Sequence, residues 1–197
     1  MQTHPEKQVA ILLLAAGPSR RLGTPKQMLP YKNRSLLRYI TEIAVASKAC
    51  RTCVVLGAEA SRLEKEIAGL PIESVYNPEW KNGLGSSIRS GVAAMPGVVD
   101  AILIMLCDQP LVSAELLDEI IGAYRSSGKP IVACEYGGHL GVPALFDRSL
   151  LSELAGLGGD RGARQIIAAH SAEAYKIAFP EGAVDIDTMN DYQSLVP

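Results

Sequence analysis

Val9-Ala10-Ile11-Leu12-Leu13-Leu14-Ala15-Ala16-Gly17-Pro18-Ser19-Arg20-Arg21-Leu22-Gly23-Thr24-Pro25-Lys26 is the stretch whose reading settles the architecture. Its first eight residues, Val9 to Ala16, are apolar without interruption. A strand with one wet face alternates apolar and polar residues; one covered on both faces reads as a continuous apolar run. Gly17, Pro18 and Ser19 then stop the run. The segment predicts a central strand that empties into a turn of small and basic residues. Ala15, Ala16 and Gly17 let a ligand approach the backbone, and their amides can face anionic oxygens. Arg21 and Lys26 add two positive charges. Together these features suit a triphosphate, the plainer alternative being a basic surface turn.

Outward from this segment, strand-like and helix-like runs alternate. Leu36, Leu37, Ile40, Ile43 and Ala44 share a helical stripe, with Ser35 placed to cap it. Thr52–Leu56 reads as a second buried strand, Glu59–Ala68 as a charged helix and Ile72–Tyr76 as a third strand. Ile88, Val92 and Met95 recur at helical spacing within Leu84–Met95. Ala101–Leu106 is a fourth strand, and Ser113 opens a helix carrying Leu116, Leu117, Ile120, Ile121 and Tyr124. Ile131–Cys134 is a fifth strand. A glycine-rich stretch, Gly137 to Gly141, follows. Two helices come next, the second with Ala163, Ile166 and Ile167 on one face, and Val184–Asp187 reads as a late short strand. Such alternation implies an α/β fold: a mostly parallel sheet with helices on both faces, in three layers. Ligands of such sheets bind beyond the carboxyl ends of the strands.

The 197 residues, at about 150 per domain, make one domain. We expect a nucleotide-binding half over about 8–110 and an acceptor-binding half over about 111–197. A net charge of −2 argues against a partner held by its nucleic-acid backbone. An eight-residue apolar run is far short of the roughly 20 needed to cross a membrane. Met1 to Gln8 holds one Lys and one Glu and no cationic leader, so a buried first strand is expected in place of a signal peptide. Cys50-x-x-Cys53 has no second pair and no nearby histidine for zinc. With Cys107 and Cys134 these read as reduced core cysteines of a cytoplasmic protein. A monomer or weak dimer is expected.

Asp108 lies just past the fourth strand, before the terminating Pro110, and its carboxylate can enter a crevice where phosphates lie. Mg²⁺ is commonly held by one or two carboxylates plus phosphate oxygens. Asp185 and Asp187 are two apart, and on a strand would face the same side; either could be a second metal ligand. Thr188 and Asp191 fit a helix N-terminal cap. Gly83, Gly85, Ser86 and Ser87 open a helix, where free amides and hydroxyls suit a base or ribose, or where a serine caps the helix. Neither the Walker pattern nor the G-x-G-x-x-G dinucleotide fingerprint occurs.

Leu14-Ala15-Ala16-Gly17-x-Ser19-x-Arg21-x-Gly23-x-x-Lys26 resembles the signature of nucleotidyltransferases that activate small phosphorylated molecules. Four further segments match in order: Asn77-Pro78-Glu79-Trp80 with Gly83-Leu84-Gly85-Ser86-Ser87, Leu106-Cys107-Asp108-Gln109-Pro110, Gly159-Asp160-Arg161-Gly162-Ala163-Arg164, and Asp185-Ile186-Asp187-Thr188. The chain most resembles the molybdopterin cytidylyltransferase branch.

The resemblance implies a Rossmann-like nucleotidyltransferase fold and Mg²⁺ as cofactor. It implies that Leu14, Ala15, Ala16, Gly17, Ser19, Arg21, Gly23 and Lys26 bind the nucleotide, with Gly83, Gly85, Ser86, Ser87 and Asp108. Arg21, Lys26 and Asp108 would act in catalysis, and Asp187 is favoured over Asp185 as the metal's partner to Asp108. Guanylyl relatives tend to carry Gly at the place of Ala16, so CTP is implied. His139, Gly141, Pro143, Asp160 and Arg164 would border a small phosphorylated acceptor, with Asp160 able to cap the helix of residues 161–169. Relatives that use molybdopterin often read Gly-His-Pro where this chain has Gly141-Val142-Pro143. A sugar or alditol phosphate therefore stays open as acceptor, as does a non-catalytic nucleotide-binding protein.

Overall fold

The computed structural model describes residues 6–95, 97 and 99–195; the leader reading of Met1 to Gln8 falls in part outside them. In chain order the strands are β1 Val9–Leu14, β2 Pro30–Tyr31, β3 Arg34–Ser35, β4 Arg51–Leu56, β5 Glu73–Tyr76, β6 Ala101–Leu106, β7 Ile131–Tyr136, β8 His139–Asp147 and β9 Ala174–Ala178. The helices are α1 Leu36–Ala46, α2 Ala60–Glu66, α3 Leu84–Ala94, α4 Ala114–Ser127, α5 Leu151–Ala155, α6 Ala163–Ala169 and α7 Met189–Leu195. Seven strands form one sheet in the order β5-β4-β1-β6-β8-β7-β9, and β2 pairs with β3 in a separate small ribbon. The β1, β4, β5 and β6 ladders are parallel, as is β7 with β9, while β8 runs antiparallel to both of its neighbours. The three-layer, mostly parallel α/β architecture expected from the alternation is what forms.

Every residue of β1 is buried, which is the physical content of its uninterrupted apolar run. Val9, Ile11 and Leu13 join a core with α1 and α4 on one face, while Ala10, Leu12 and Leu14 join Ile88, Leu154 and Ile167 on the other. Each buried Leu or Ile removed from water is worth about 1.5–3 kcal/mol. Ser35 caps α1 by accepting from the Arg38 amide at 3.3 Å. From β1 the chain moves to β4 on one side and returns to β6 on the other, so the sheet reverses its order there. Such a switch point opens a crevice at the carboxyl ends, and Leu14 pairs in register with Leu106. The loops that follow β1 and β6 therefore leave the sheet side by side.

Four local expectations are corrected. The glycine-rich stretch is a hairpin: Gly137 and Gly138 take φ of 56° and 75° and return the chain into β8. Pro143 hid this strand, because proline reads as a break within a strand pattern; it sits beside a shift of register between Ala133 and Cys134. Val184–Asp187 forms no ladder strand; a 3₁₀ turn over Pro180–Ala183 precedes it, and the last parallel strand is β9. Without a strand, Asp185 and Asp187 have no pleat to place them on one face. Asp160 does not cap α6, whose N-cap is Gly162 without a side-chain bond. Cys53, Cys107 and Cys134 are buried and free, but Cys50 is exposed; burial holds the Cys53 thiol up at about 11. Among the described residues no helix is long and apolar enough to cross a membrane.

Candidate active site

Three segments meet at the carboxyl end of β1 and β6. The loop after β1 carries Arg21 and Lys26, the turn after β6 carries Asp108, and the extended segment before α7 carries Asp187. The Lys26 ammonium lies 2.7 Å from Asp108 Oδ2 and 2.9 Å from Asp187 Oδ1. The Arg21 guanidinium reaches the other oxygen of Asp187 at 2.5 Å. Lys26 is 15% exposed and Arg21 69%, so only the first is an inner group of the site. Burial alone would lower the Lys26 pKa, but the two carboxylates outweigh it and raise it. Burial pushes Asp187 up; hydrogen bonds and charge from Lys26 and Arg21 outweigh that and hold it below the usual carboxylate range. Asp185 lacks these partners and goes the other way, raised by burial and by the negative charge of Asp187 and Asp108.

Local bonds explain why the loop takes this shape. Gln27 is buried, and its amide group donates to the carbonyls of Ala15 at 2.8 Å and Gly17 at 2.9 Å. The Ser19 hydroxyl accepts from the Lys26 amide at 2.9 Å and pairs with Gln27 Oε1 at 3.3 Å. Ser19 thus fastens the loop that presents Lys26. The Ala15 amide is already spent on the Val55 carbonyl at 2.9 Å, which corrects its reading as an anion donor. Among the described residues the amides of Ala16 and Gly17 have no partner, and a Cβ on Gly17 would meet nothing within 4 Å. These two keep the predicted access to the backbone. Asp187 and Thr188 are held from behind by Asp191, whose carboxylate accepts from both amides, at 3.1 and 2.7 Å; the expected cap forms.

A cavity of about 330 Å³ opens beside Lys26 and Asp108, lined by Leu14 to Pro18, Lys26, Gln27, Trp80, Gly83, Leu84, Ser87, Leu106 to Asp108 and Asp160. Gly83 adopts φ 91°, and a side chain there would strike Asp160 and the Gly159 carbonyl. Of the other helix-opening residues, Ser87 lines the cavity, while Ser86 and Gly85 are spent internally. The Ser86 hydroxyl is buried, donates to the Glu79 and Gly83 carbonyls at 2.8 Å and accepts from Asn77 at 2.9 Å. The Gly85 amide bonds the Gly159 carbonyl at 3.1 Å. Ser86 and Gly85 are therefore corrected to framework residues, and neither serine caps α3, whose N-cap is Gly83. Gly23 lies in a separate hollow with Pro18, Thr24 and Glu59.

A second, smaller cavity of about 210 Å³ has apolar walls from Leu14, Leu84, Ile88, Ile104, Leu106 and Val142. His139, Gly141 and Arg164 border it, with Tyr136; Asp160 stands in the first cavity instead. Gln109 and Tyr136, which the sequence reading left without a role, tie the walls together. Gln109 Nε2 donates to the Val142 carbonyl at 3.0 Å and the Gly182 carbonyl at 3.3 Å, and the Tyr136 hydroxyl donates to the Val142 carbonyl at 2.7 Å. The Asp-Gln-Pro turn after β6 was the available signal for Gln109.

The residues fit a divalent cation. Asp108 and Asp187 share a single ammonium, and the buried Asp108 Oδ1 has no hydrogen-bond partner among the described residues. Two carboxylates supply hard oxygen donors and leave the rest of a Mg²⁺ shell to phosphates and water. No third His, Cys, Asp or Glu among the described residues completes an all-protein cage.

A switch-point crevice at the carboxyl ends of β1 and β6 is where an α/β sheet of this kind binds its ligand. Residues 11–174 match the MobA-like NTP transferase domain, and the chain belongs to that family. It is 33% identical over 165 residues, 78% of each chain, to nicotine blue oxidoreductase of Paenarthrobacter nicotinovorans. Rv0371c of Mycobacterium tuberculosis superposes with a TM-score of 0.84 at 30% identity, covering 97% of this chain and 98% of that one. A manganese complex of Rv0371c gives 0.81 at 28% identity, with 96% and 98% covered. Molybdopterin-guanine dinucleotide biosynthesis protein A of Archaeoglobus fulgidus gives 0.66 at 16%, covering 94% and 96%, a likeness of fold alone. One of these names is an oxidoreductase's, so the reaction is argued from the site and not from the fold.

Proposed function

We propose that this chain transfers a nucleoside monophosphate, CMP from CTP, onto the terminal phosphate of molybdopterin or a related cofactor, with release of pyrophosphate. The observation that carries the reading is the charge cluster in which Lys26 and Asp108 line the cavity and Asp187, paired with Lys26 and Arg21, stands behind them. An acceptor phosphate attacks the α-phosphorus in line, and two anions must meet. The protein's work is then neutralisation and alignment. Lys26 and Arg21 hold the leaving pyrophosphate; the amides of Ala16 and Gly17 face the phosphates; Gly83, Ser87 and Trp80 border the nucleoside. Asp108 and Asp187 hold Mg²⁺, which when bound neutralises phosphate charge and polarises the phosphorus under attack. No general base is required, because the attacking phosphate is already ionised near neutral pH. His139 borders the second cavity, bonded to the Gly137 carbonyl at 3.0 Å, and is given no part in the step.

The acceptor lies in the second cavity, with Arg164 at its phosphate. That cavity draws walls from both sides of residue 110, which supports an acceptor held next to the nucleotide. The test is pyrophosphate release from CTP and Mg²⁺ against a panel of molybdopterin, sugar phosphates and alditol phosphates. Release only with molybdopterin supports the reading, and release only with a sugar or alditol phosphate moves the acceptor. Nucleotide binding without release under any acceptor makes the chain a nucleotide-binding protein.

A further inference from the structure

Lys26 does more in this geometry than wait for a phosphate. Its ammonium stands between Asp108 and Asp187, within hydrogen-bond distance of both, and neutralises the same two carboxylates that would hold a divalent cation. The arrangement is built and not an incidental surface pair, which would be worth little. Lys26 is 15% exposed, its own amide is tied to Ser19 Oγ at 2.9 Å, and the loop behind it is stapled by Gln27. Arg21 contributes only from the exposed side of Asp187.

We infer that Lys26 is an internal counter-ion, which keeps divalent metal off the Asp108–Asp187 pair until a triphosphate draws the ammonium away. This rests on the proposed reading of those carboxylates as the metal's ligands. Without nucleotide, the acids need a cation to offset their repulsion, and the chain supplies one from its own loop. A metal ion arriving alone must displace it and leave the ammonium without partners. A triphosphate offers the ammonium new anionic partners and brings further oxygens to the metal. Metal and nucleotide therefore bind with positive coupling, and linkage makes the coupling reciprocal. Part of that coupling belongs to Lys26 and is removable by substitution.

The experiment is a Mn²⁺ titration followed by electron paramagnetic resonance, with and without a non-reacting α,β-methylene analogue of CTP. Wild type is compared with Lys26→Met, Lys26→Arg and Asp108→Asn, each checked for folding by circular dichroism. Lys26→Met, having lost one unit charge at contact distance, binds Mn²⁺ alone at least about tenfold more tightly than wild type. Lys26→Arg keeps the charge and the weak binding. The analogue tightens Mn²⁺ by a smaller factor in Lys26→Met than in wild type. Equal or weaker Mn²⁺ binding by Lys26→Met, with the analogue's factor unchanged, overturns the counter-ion role while the metal site stands. Should Lys26→Met fail to fold, Lys26→Gln carries the same comparison. If wild type binds no Mn²⁺ even with the analogue, or Asp108→Asn binds it as well as wild type, the ligand assignment itself falls.

Discussion

At the scale of single residues, Asp108 and Lys26 carry the largest consequences. Asp108 faces an ammonium with one oxygen and leaves the other buried without a partner among the described residues. Asp108→Asn keeps the shape and removes the charge. We expect it to lower the rate of pyrophosphate release at least about 100-fold, the size of effect seen when one strong electrostatic group is lost. The thermal melt should stay cooperative, and full Mg²⁺-dependent turnover in this variant would take Asp108 out of the chemistry. His170 offers a check on the electrostatics away from the site. The Glu153 carboxylate at 3.1 Å from one ring nitrogen, with Glu173 on the other, outweighs burial and raises its pKa above the ordinary 6.5. Its contribution to stability is complete below that ordinary value and fades as pH rises through the raised one. Proton NMR titration should find the midpoint above 6.5, and Glu153→Gln should move it down.

Elements succeed or fail here by how closely they approach. Gly91 lets α3 press on β1: a side chain there would run into the fully buried Leu12. Gly91→Ala gains about 1 kcal/mol of helix propensity but overpacks the contact at a cost of about 1–3 kcal/mol. The net expectation is a lower midpoint in urea with an unchanged slope; a raised midpoint would show that Leu12 yields. At the opposite end of the sheet from the cavity, Tyr124 of α4 is buried and donates to Asp147 Oδ2 at 2.6 Å, joining the helix to the end of β8. Burial would raise the Asp147 pKa, but this hydroxyl, Ser149 and Lys7 outweigh it and lower it below 3.8. A depressed carboxylate stabilises the fold above its ordinary pKa and loses that effect as pH falls through the depressed one. Tyr124→Phe should cost about 1.5–3 kcal/mol near neutral pH, as for a hydrogen bond to a charged group. It should also shift acid unfolding to higher pH, followed by circular dichroism between pH 5 and 2.

Across the whole molecule, one sheet runs from β5 to β9 and carries both halves of the chain. We expect unfolding as a single transition, coincident by fluorescence and circular dichroism; two separated transitions would divide the halves. A ligand that binds only the folded state raises the melting temperature by mass action. CTP with Mg²⁺ should raise it more than GTP, ATP or UTP, and more than CTP without metal; a larger shift with GTP would reverse the base preference argued from Ala16.

The α/β architecture was legible in the sequence because burial on both faces leaves a local trace, an unbroken apolar run that repeats at β1, β4 and β6. The loop's chemistry was legible for a similar reason, since small residues and cations directly after such a run need no distant partner to be noticed. Ser35 and the Thr188–Asp191 cap were visible as short-range hydrogen-bond patterns. Tertiary structure alone decided the rest. β8 draws its place between β6 and β7 from pairing partners, and nothing local marks a strand holding Gly141 and Pro143. Ser86 and Gly85 turned inward because Asn77 and Gly159 are there to receive them. Above all, Asp108 and Asp187 stand 82 and 161 residues from Lys26 along the chain, and only the register of Leu14 against Leu106, with the return of the chain after β9, brings both carboxylates within a bond's reach of its ammonium.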